Sequence, residues 1–146
     1  FKTNSPEKTR LIAGLLAREI LREKLKTKSS LVLALSGNLG GGKTTFVQGF
    51  MKGVGVKNKI TSPTFVLIKT YNPQLKAYKK IYHIDCYRLK KSEELLGLGL
   101  KEILENPDNI VLIEWPERIK KDLIKNYILI KFKYGNKENE RMIVIT

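Results

Sequence analysis

The chain has 146 residues, of which 42% are hydrophobic, and this size and composition predict one domain, residues 1–146, around a single core. It carries 28 Lys and Arg residues against 14 Asp and Glu residues, a formal charge of +14. This charge favours phosphate-rich partners such as RNA or an acidic protein surface, although a coding bias toward lysine gives the same composition. No run approaches the roughly 18 consecutive apolar residues of a membrane span, no signal peptide is visible, and the single Cys86 excludes an internal disulfide. We therefore expect a soluble cytoplasmic protein without membrane contact.

The first predicted element is a helix that begins at Ser5 and Pro6. Ser5 is suited to cap the helix, and Pro6 is suited to its first position. Apolar residues then recur at helical spacing, which predicts the face that packs on the core: Leu11, Ile12, Leu15, Leu16 and Ile20. The basic residues fall on the opposite face, which we expect to be solvated: Arg10, Arg18, Arg22 and Lys24.

The second unit is a strand, a glycine-rich loop and a helix, which together span residues 31–55. The loop matches the pattern G-x-x-x-x-G-K-[ST] at Gly37, Gly42, Lys43 and Thr44. Glycines allow positive φ angles and leave room for phosphate oxygens to reach backbone N–H groups at the start of the helix. The Lys43 ammonium would then contact the β and γ phosphates, and the Thr44 hydroxyl would bind Mg²⁺. This combination predicts a nucleotide-binding site.

The rest of the chain alternates strands with helices, a pattern typical of α/β proteins. The predicted strands cover residues 60–71, 78–87, 110–113, 127–134 and 142–146, and helices begin at Ser92, as a cap, and at Leu100. The first two strands should form an antiparallel hairpin, because the link between them is too short for a crossover helix. The sequence therefore predicts a P-loop NTPase-type α/β fold, a three-layer sandwich with a central mixed sheet flanked by helices.

Two acidic residues follow predicted strands and are candidates for chemistry on a phosphate. Glu114 comes directly after the apolar strand 110–113, so we expect it to hold Mg²⁺ directly or through water. Asp85 lies near the end of the returning hairpin strand, and we expect it to orient the attacking water or to join the outer magnesium shell. Either residue could instead form a structural salt bridge with Arg88 or Arg118.

Further residues near these positions have both functional and structural interpretations. The Ser62-Pro63-Thr64 segment could sense a γ-phosphate, as switch segments do, or simply turn the chain into a strand. Arg88 could stabilise phosphate charge, grip a partner or form a surface ion pair. Trp115 could pack on a nucleotide or on the core. His83 should share one side of its strand with Asp85, and we expect a structural role for it.

Five segments occur in the order seen in one known family: Gly37–Phe46, Ser62–Phe65, His83–Leu89, Glu94–Leu98 and Ile113–Glu117. In these segments the chain resembles the TsaE (YjeE) family of small bacterial ATPases, which are required for threonylcarbamoyladenosine formation at position 37 of tRNA. The resemblance spans nearly the whole chain, and its later motifs are more specific than the glycine loop alone. Its departures, Asn38, Gly41 and Cys86, do not include a residue with an assigned catalytic or metal-binding role.

The resemblance implies a protein that binds ATP or ADP with Mg²⁺ and hydrolyses ATP slowly alone. It implies that Lys43 and Asp85 serve catalysis and that Thr44 and Glu114 bind the metal. The expected nucleotide contacts are Asn38, Leu39, Gly40, Gly41, Gly42, Lys43, Thr44, Thr45 and Trp115. The helix from Ser5 is expected near the adenine.

The resemblance also implies partners, namely the TsaD and TsaB proteins, with tRNA contacted directly or through their complex. Alone, the protein is expected to be a monomer. Two alternatives remain open at this point. One is a small-molecule kinase, and the other is a nucleotide-gated tRNA-binding module without useful hydrolysis, which the charge of +14 favours.

Overall fold

The computed structural model describes residues 1–23, 27–63, 66–120 and 124–146. Within these ranges the strands are β1 (Lys2–Thr3), β2 (Leu31–Gly37), β3 (Ile68–Tyr71), β4 (Lys80–Asp85), β5 (Asn109–Glu114), β6 (Ile128–Tyr134) and β7 (Arg141–Ile145). The helices are α1 (Pro6–Glu23), α2 (Lys43–Gly53), α3 (Glu93–Gly97) and α4 (Leu100–Glu105), with a 3₁₀ turn at Pro116–Arg118. None of the described helices combines the length and the hydropathy that a membrane span requires.

The described strands form one mixed sheet in the order β1-β7-β6-β2-β5-β4-β3. Strands β6, β2, β5 and β4 are mutually parallel, whereas β1, β7 and β3 run antiparallel to their neighbours. The predicted antiparallel hairpin of β3 and β4 is confirmed. Because β2, β4 and β5 run in the same direction, their carboxyl ends meet at one edge of the sheet, which is where ligands bind in open α/β sheets.

The core consists of two apolar clusters, one on each face of the sheet. On one face, Leu33 of β2 and Leu112 of β5 pack with helices α1 and α2. On the other, Val111 and Ile113 of β5 pack with α3 and α4. A central strand therefore needs apolar residues at consecutive positions, which is why β2 and β5 read as continuous apolar runs. The predicted three-layer α/β architecture is confirmed.

The predicted core face of α1 is wrong in two of its five positions. Leu11 is 61% exposed and Leu15 is 53% exposed, while the buried residues of this helix are Thr9, Ala13, Ala17 and Ile20. The cause is the short distance between α1 and α2. A Cβ atom on Gly49 of α2 would lie 2.3 Å from the backbone oxygen of Arg10, so only small side chains fit between the helices. The leucines are displaced to the rim of the contact.

Several local predictions need correction. The hydroxyl of Ser92 does not cap α3; it accepts the N–H of Lys120 at 3.1 Å instead. Strand β3 begins only at Ile68, and the short strand β1 was not predicted. The Ser5 cap is confirmed, since its hydroxyl accepts the N–H of Lys8 at 3.3 Å. The predictions for Lys24, Thr64 and Phe65 lie outside the described residues.

Candidate functional site

The glycine loop connects β2 to α2 at the carboxyl edge of the sheet. Gly40 and Gly42 adopt positive φ angles of 71° and 100°, which L-residues with side chains rarely adopt. A Cβ atom on Gly41 would lie 2.8 Å from the backbone oxygen of Asn38. The N-cap of α2 is Gly42, which has no side chain to bond the first N–H groups of the helix. The loop therefore presents backbone donors and a helix N-terminus, a combination that suits a phosphate group.

Lys43 is the first residue of α2 and is folded against the loop. Its ammonium donates to the backbone oxygens of Gly37 at 2.7 Å and Asn38 at 2.9 Å, and it lies 3.8 Å from the centroid of the Trp115 ring. Burial lowers the pKa of Lys43, and the nearby carboxylates, with Glu114 the strongest, oppose that shift. The result is a buried cation at the base of the loop, in position to contact an anion held there.

Thr44 and Glu114 are in direct contact beneath the loop. The Thr44 hydroxyl lies 3.2 Å from Oε1 and 3.1 Å from Oε2 of Glu114, whose side chain is almost fully buried. A hydroxyl and a carboxylate are oxygen ligands of the kind that Mg²⁺ prefers. In the part of the chain that the structure describes, no cluster of three His, Cys, Asp or Glu side chains could hold a metal. A magnesium ion here would thus depend on phosphate oxygens and water for its remaining ligands, as is usual for this ion.

Asp85 ends β4 and pairs in register with Glu114 at the end of β5. Its two oxygens have different partners. Oδ2 accepts the Ser62 hydroxyl at 2.7 Å, and Oδ1 accepts the backbone N–H of Tyr87 at 2.9 Å. Asp85 is half-buried and so remains accessible to a ligand, unlike Glu114. It also ties the Ser62-Pro63 segment to the edge of the sheet.

These residues line one cavity of about 430 Å³. It contains Leu39, Gly40, Gly41, Gly42, Lys43, Thr44, Thr45, Ser62, Pro63, Leu67, Asp85, Tyr87, Arg88, Glu114 and Trp115. The structure thus brings together all of the predicted nucleotide, metal and catalytic residues except Asn38, which contributes its backbone oxygen to Lys43 and Gly41. His83 lies beneath the cavity, where its Nε2 atom is 2.8 Å from Oε1 of Glu114. That His83 contacts a site residue was not expected.

Sequence reasoning missed two aromatic residues beside the site. The Tyr134 hydroxyl at the end of β6 donates to the backbone oxygen of Leu39, and the Tyr87 ring packs against Trp115 with centroids 5.0 Å apart. Trp115 itself has a positive φ angle of 60°, the only such angle at a non-glycine residue in the described chain. Strain of this kind concentrates at functional sites. No sequence pattern marks these contacts, because they depend on the alignment of β6 with β2 and of β4 with β5.

Together these features define an α/β protein with a glycine-rich, anion-suited loop at the carboxyl edge of a mixed sheet. Comparison with known proteins makes the assignment specific. The model of the family described as "Threonylcarbamoyl adenosine biosynthesis protein TsaE" matches residues 3–143. The chain belongs to the TsaE family, whose members take part in the biosynthesis of threonylcarbamoyladenosine in tRNA.

Individual relatives agree with this assignment. The tRNA threonylcarbamoyladenosine biosynthesis protein TsaE of Bacillus subtilis is 36% identical over 146 residues, which cover 100% of this chain and 84% of that protein. The TsaE protein of Haemophilus influenzae is 40% identical over 111 residues, 76% of this chain and 68% of that one. The crystal structure of Bacillus subtilis YdiB superposes with a TM-score of 0.75 at 34% identity and covers 99% of this chain and 82% of that one.

Proposed function

We propose that the protein is a magnesium-dependent ATPase that acts in tRNA threonylcarbamoyladenosine biosynthesis with the TsaD and TsaB proteins. The observation that carries this proposal is the contact of Thr44 with Glu114 at 3.1 Å, directly beneath a glycine loop that holds Lys43. Backbone N–H groups that can bind a phosphate, the Lys43 ammonium and two oxygen ligands suited to Mg²⁺ therefore meet in one cavity. Family membership supports the biological role, and the site supports the chemistry.

Each residue has a defined task in this proposal. The backbone N–H groups of the glycine loop and the Lys43 ammonium bind the phosphates and neutralise their charge. Thr44 and Glu114 would hold a magnesium ion, which would supply positive charge to neutralise the phosphate oxygens. Asp85 accepts a hydrogen bond from the attacking water and orients it toward the γ-phosphate. Because Asp85 also accepts the Ser62 hydroxyl, loss of the γ-phosphate can be transmitted to the Ser62-Pro63 segment and from there to a partner.

Phosphate release tests the reaction. We expect the wild-type protein to release inorganic phosphate from ATP slowly alone and faster with the TsaB and TsaD proteins. Asp85→Asn should lower the rate about 100-fold while the affinity for ATP changes little, because a side chain that accepts a hydrogen bond from the attacking water and orients it contributes roughly that much. Asp108→Asn is the matched control. Asp108 immediately precedes β5, at the end of the strand away from the site, and forms an exposed ion pair with Lys79. Its replacement should therefore leave the rate unchanged.

The same assay separates the alternatives. Transfer of phosphate to a small molecule, with no free phosphate, would support a kinase instead. Full tRNA modification activity in both Asp85→Asn and Glu114→Gln variants would favour a nucleotide-gated tRNA-binding module, which the charge of +14 supports. Binding of tRNA by such a module should weaken steeply with salt concentration.

A further inference from the structure

His83 is a fully buried polar residue in the middle of β4. It shares its face of the strand with Ile81, two residues earlier, and Asp85, two residues later, so it faces the core between the sheet and helix α2. Its Nε2 atom lies 2.8 Å from Oε1 of Glu114, and both side chains are almost entirely removed from solvent. The contact joins the adjacent parallel strands β4 and β5. In register, Glu114 lies opposite Asp85, and His83 is two residues before Asp85, so the contact is diagonal.

The other ring nitrogen of His83 does not stabilise the fold by hydrogen bonding. Nδ1 is buried and has no hydrogen-bond partner among the described residues. Buried polar atoms without partners are rare and unfavourable, and an apolar side chain of similar volume would fill the same space without that cost. A histidine at this position is therefore explained by its Nε2 atom alone. A carboxylate that binds a metal is ionised and can only accept, so Nε2 carries the hydrogen.

We infer that His83 is a positioning residue for the magnesium-binding carboxylate of Glu114, an inference that rests on the proposed function. The Nε2–H group of His83 fixes Oε1 of Glu114 from below, which orients the carboxylate toward Thr44 and the cavity. Residues that orient a metal ligand by hydrogen bonding are known to change metal affinity about 10- to 100-fold. His83 does not line the cavity, so in this proposal it acts on the metal site only through Glu114.

Three substitutions separate positioning from packing. His83→Leu has comparable size and removes both nitrogens. His83→Gln can place its amide N–H close to the position of Nε2, whereas His83→Asn can place it only near Nδ1, out of reach of Glu114. If the residue served packing alone, folded His83→Gln and His83→Asn could differ in stability but should both keep the Mg²⁺ dependence of the wild-type protein. If the hydrogen bond to Glu114 matters, only Gln should approach the wild-type protein.

The measurement is ADP binding, followed by calorimetry, as a function of Mg²⁺ concentration and also in excess chelator. For His83→Leu and His83→Asn we expect the Mg²⁺ concentration at half-maximal effect to rise about 10-fold or more. The affinity for ADP in chelator should stay within about twofold, because the glycine loop and Lys43 are untouched. His83→Gln should recover most of the loss, and circular dichroism establishes which variants are folded.

Each outcome has one meaning. If folded His83→Asn and His83→Gln show the Mg²⁺ dependence of the wild-type protein, the inference is overturned while the proposed function stands. If His83→Leu fails to fold, the comparison of Gln with Asn still decides. A wild-type protein that binds ADP equally well with and without Mg²⁺ would instead overturn the magnesium role in the proposed function, and the inference with it.

Discussion

The contact between α1 and α2 predicts that replacing Gly49 with alanine destabilises the protein. The new Cβ atom would lie 2.3 Å from the Arg10 oxygen and 2.5 Å from its Cα, whereas ordinary contacts begin near 3.4 Å, so the helices must separate by about 1 Å. Overpacking against rigid backbone costs up to about 3 kcal/mol, and alanine returns about 1 kcal/mol of helix propensity. The net loss is about 2 kcal/mol, which corresponds to a fall of roughly 6–8 °C in melting temperature for a chain of this size.

Gly14 provides the matched control, because it lies in the same interface on the opposite helix. A Cβ atom at Gly14 would lie 3.4 Å from the Gly49 oxygen, an ordinary contact. Gly14→Ala should therefore keep its gain in helix propensity and melt at or slightly above the wild-type temperature. Thermal unfolding by circular dichroism measures both variants. A Gly49→Ala variant that melts no lower than the wild type, or an equal loss in Gly14→Ala, would refute the steric reasoning.

Three further predictions concern the site and its surroundings. Burial raises the pKa of Cys86 from 9.0 to about 12. At pH 8 this shift lowers the thiolate fraction of Cys86 roughly a thousandfold, so thiol reagents should label it only after unfolding or in strong alkali. Because the Lys43 ammonium lies 3.8 Å from the ring of Trp115, the single tryptophan, Mg-ADP should alter tryptophan fluorescence in the wild-type protein but not in Lys43→Met. Tyr134→Phe removes the hydrogen bond to the Leu39 oxygen and should weaken ADP binding about fivefold or less, the equivalent of one neutral hydrogen bond.

The fold was largely predictable because its signals are local. Continuous apolar runs indicate strands buried on both faces, and β2 and β5 have them. The α1 helix is the instructive failure. Leucine is more hydrophobic than alanine, so the leucines dominate the hydrophobic periodicity of this helix. The close approach of α2 at Gly49 and Gly53 nevertheless buries Ala13 and Ala17 and leaves Leu15 at the rim. The distance between two helices is a tertiary property, and a single helix sequence does not contain it.

The position of the candidate site in the fold was also predictable, but the hydrogen bonds between its residues were not. Lys43, Thr44, Asp85 and Glu114 lie at strand or helix ends, and parallel strands bring those ends to one edge. The contact of His83 with Glu114 depends on the stagger between β4 and β5, which no pattern within either strand specifies. A histidine inside an apolar strand is a weak signal by itself, and it gains meaning only when its neighbour is known.

The two acids at the sheet edge have different surroundings, and this difference constrains how a phosphate reaction could control a partner. Glu114 is buried between Thr44 and His83, so its position is fixed by elements of the core. Asp85 is half-buried and bonded to Ser62, whose segment belongs to no helix or strand. A fixed carboxylate suits a metal ligand, which requires constant geometry, and a carboxylate tied to a loop suits a group whose partner changes when phosphate leaves. If the roles were exchanged, the metal would be bound by Asp85, which is tied to a loop, and the response to phosphate loss would depend on Glu114, which is fixed in the core. The proposed roles of the two acids therefore follow from their burial as well as from their chemistry.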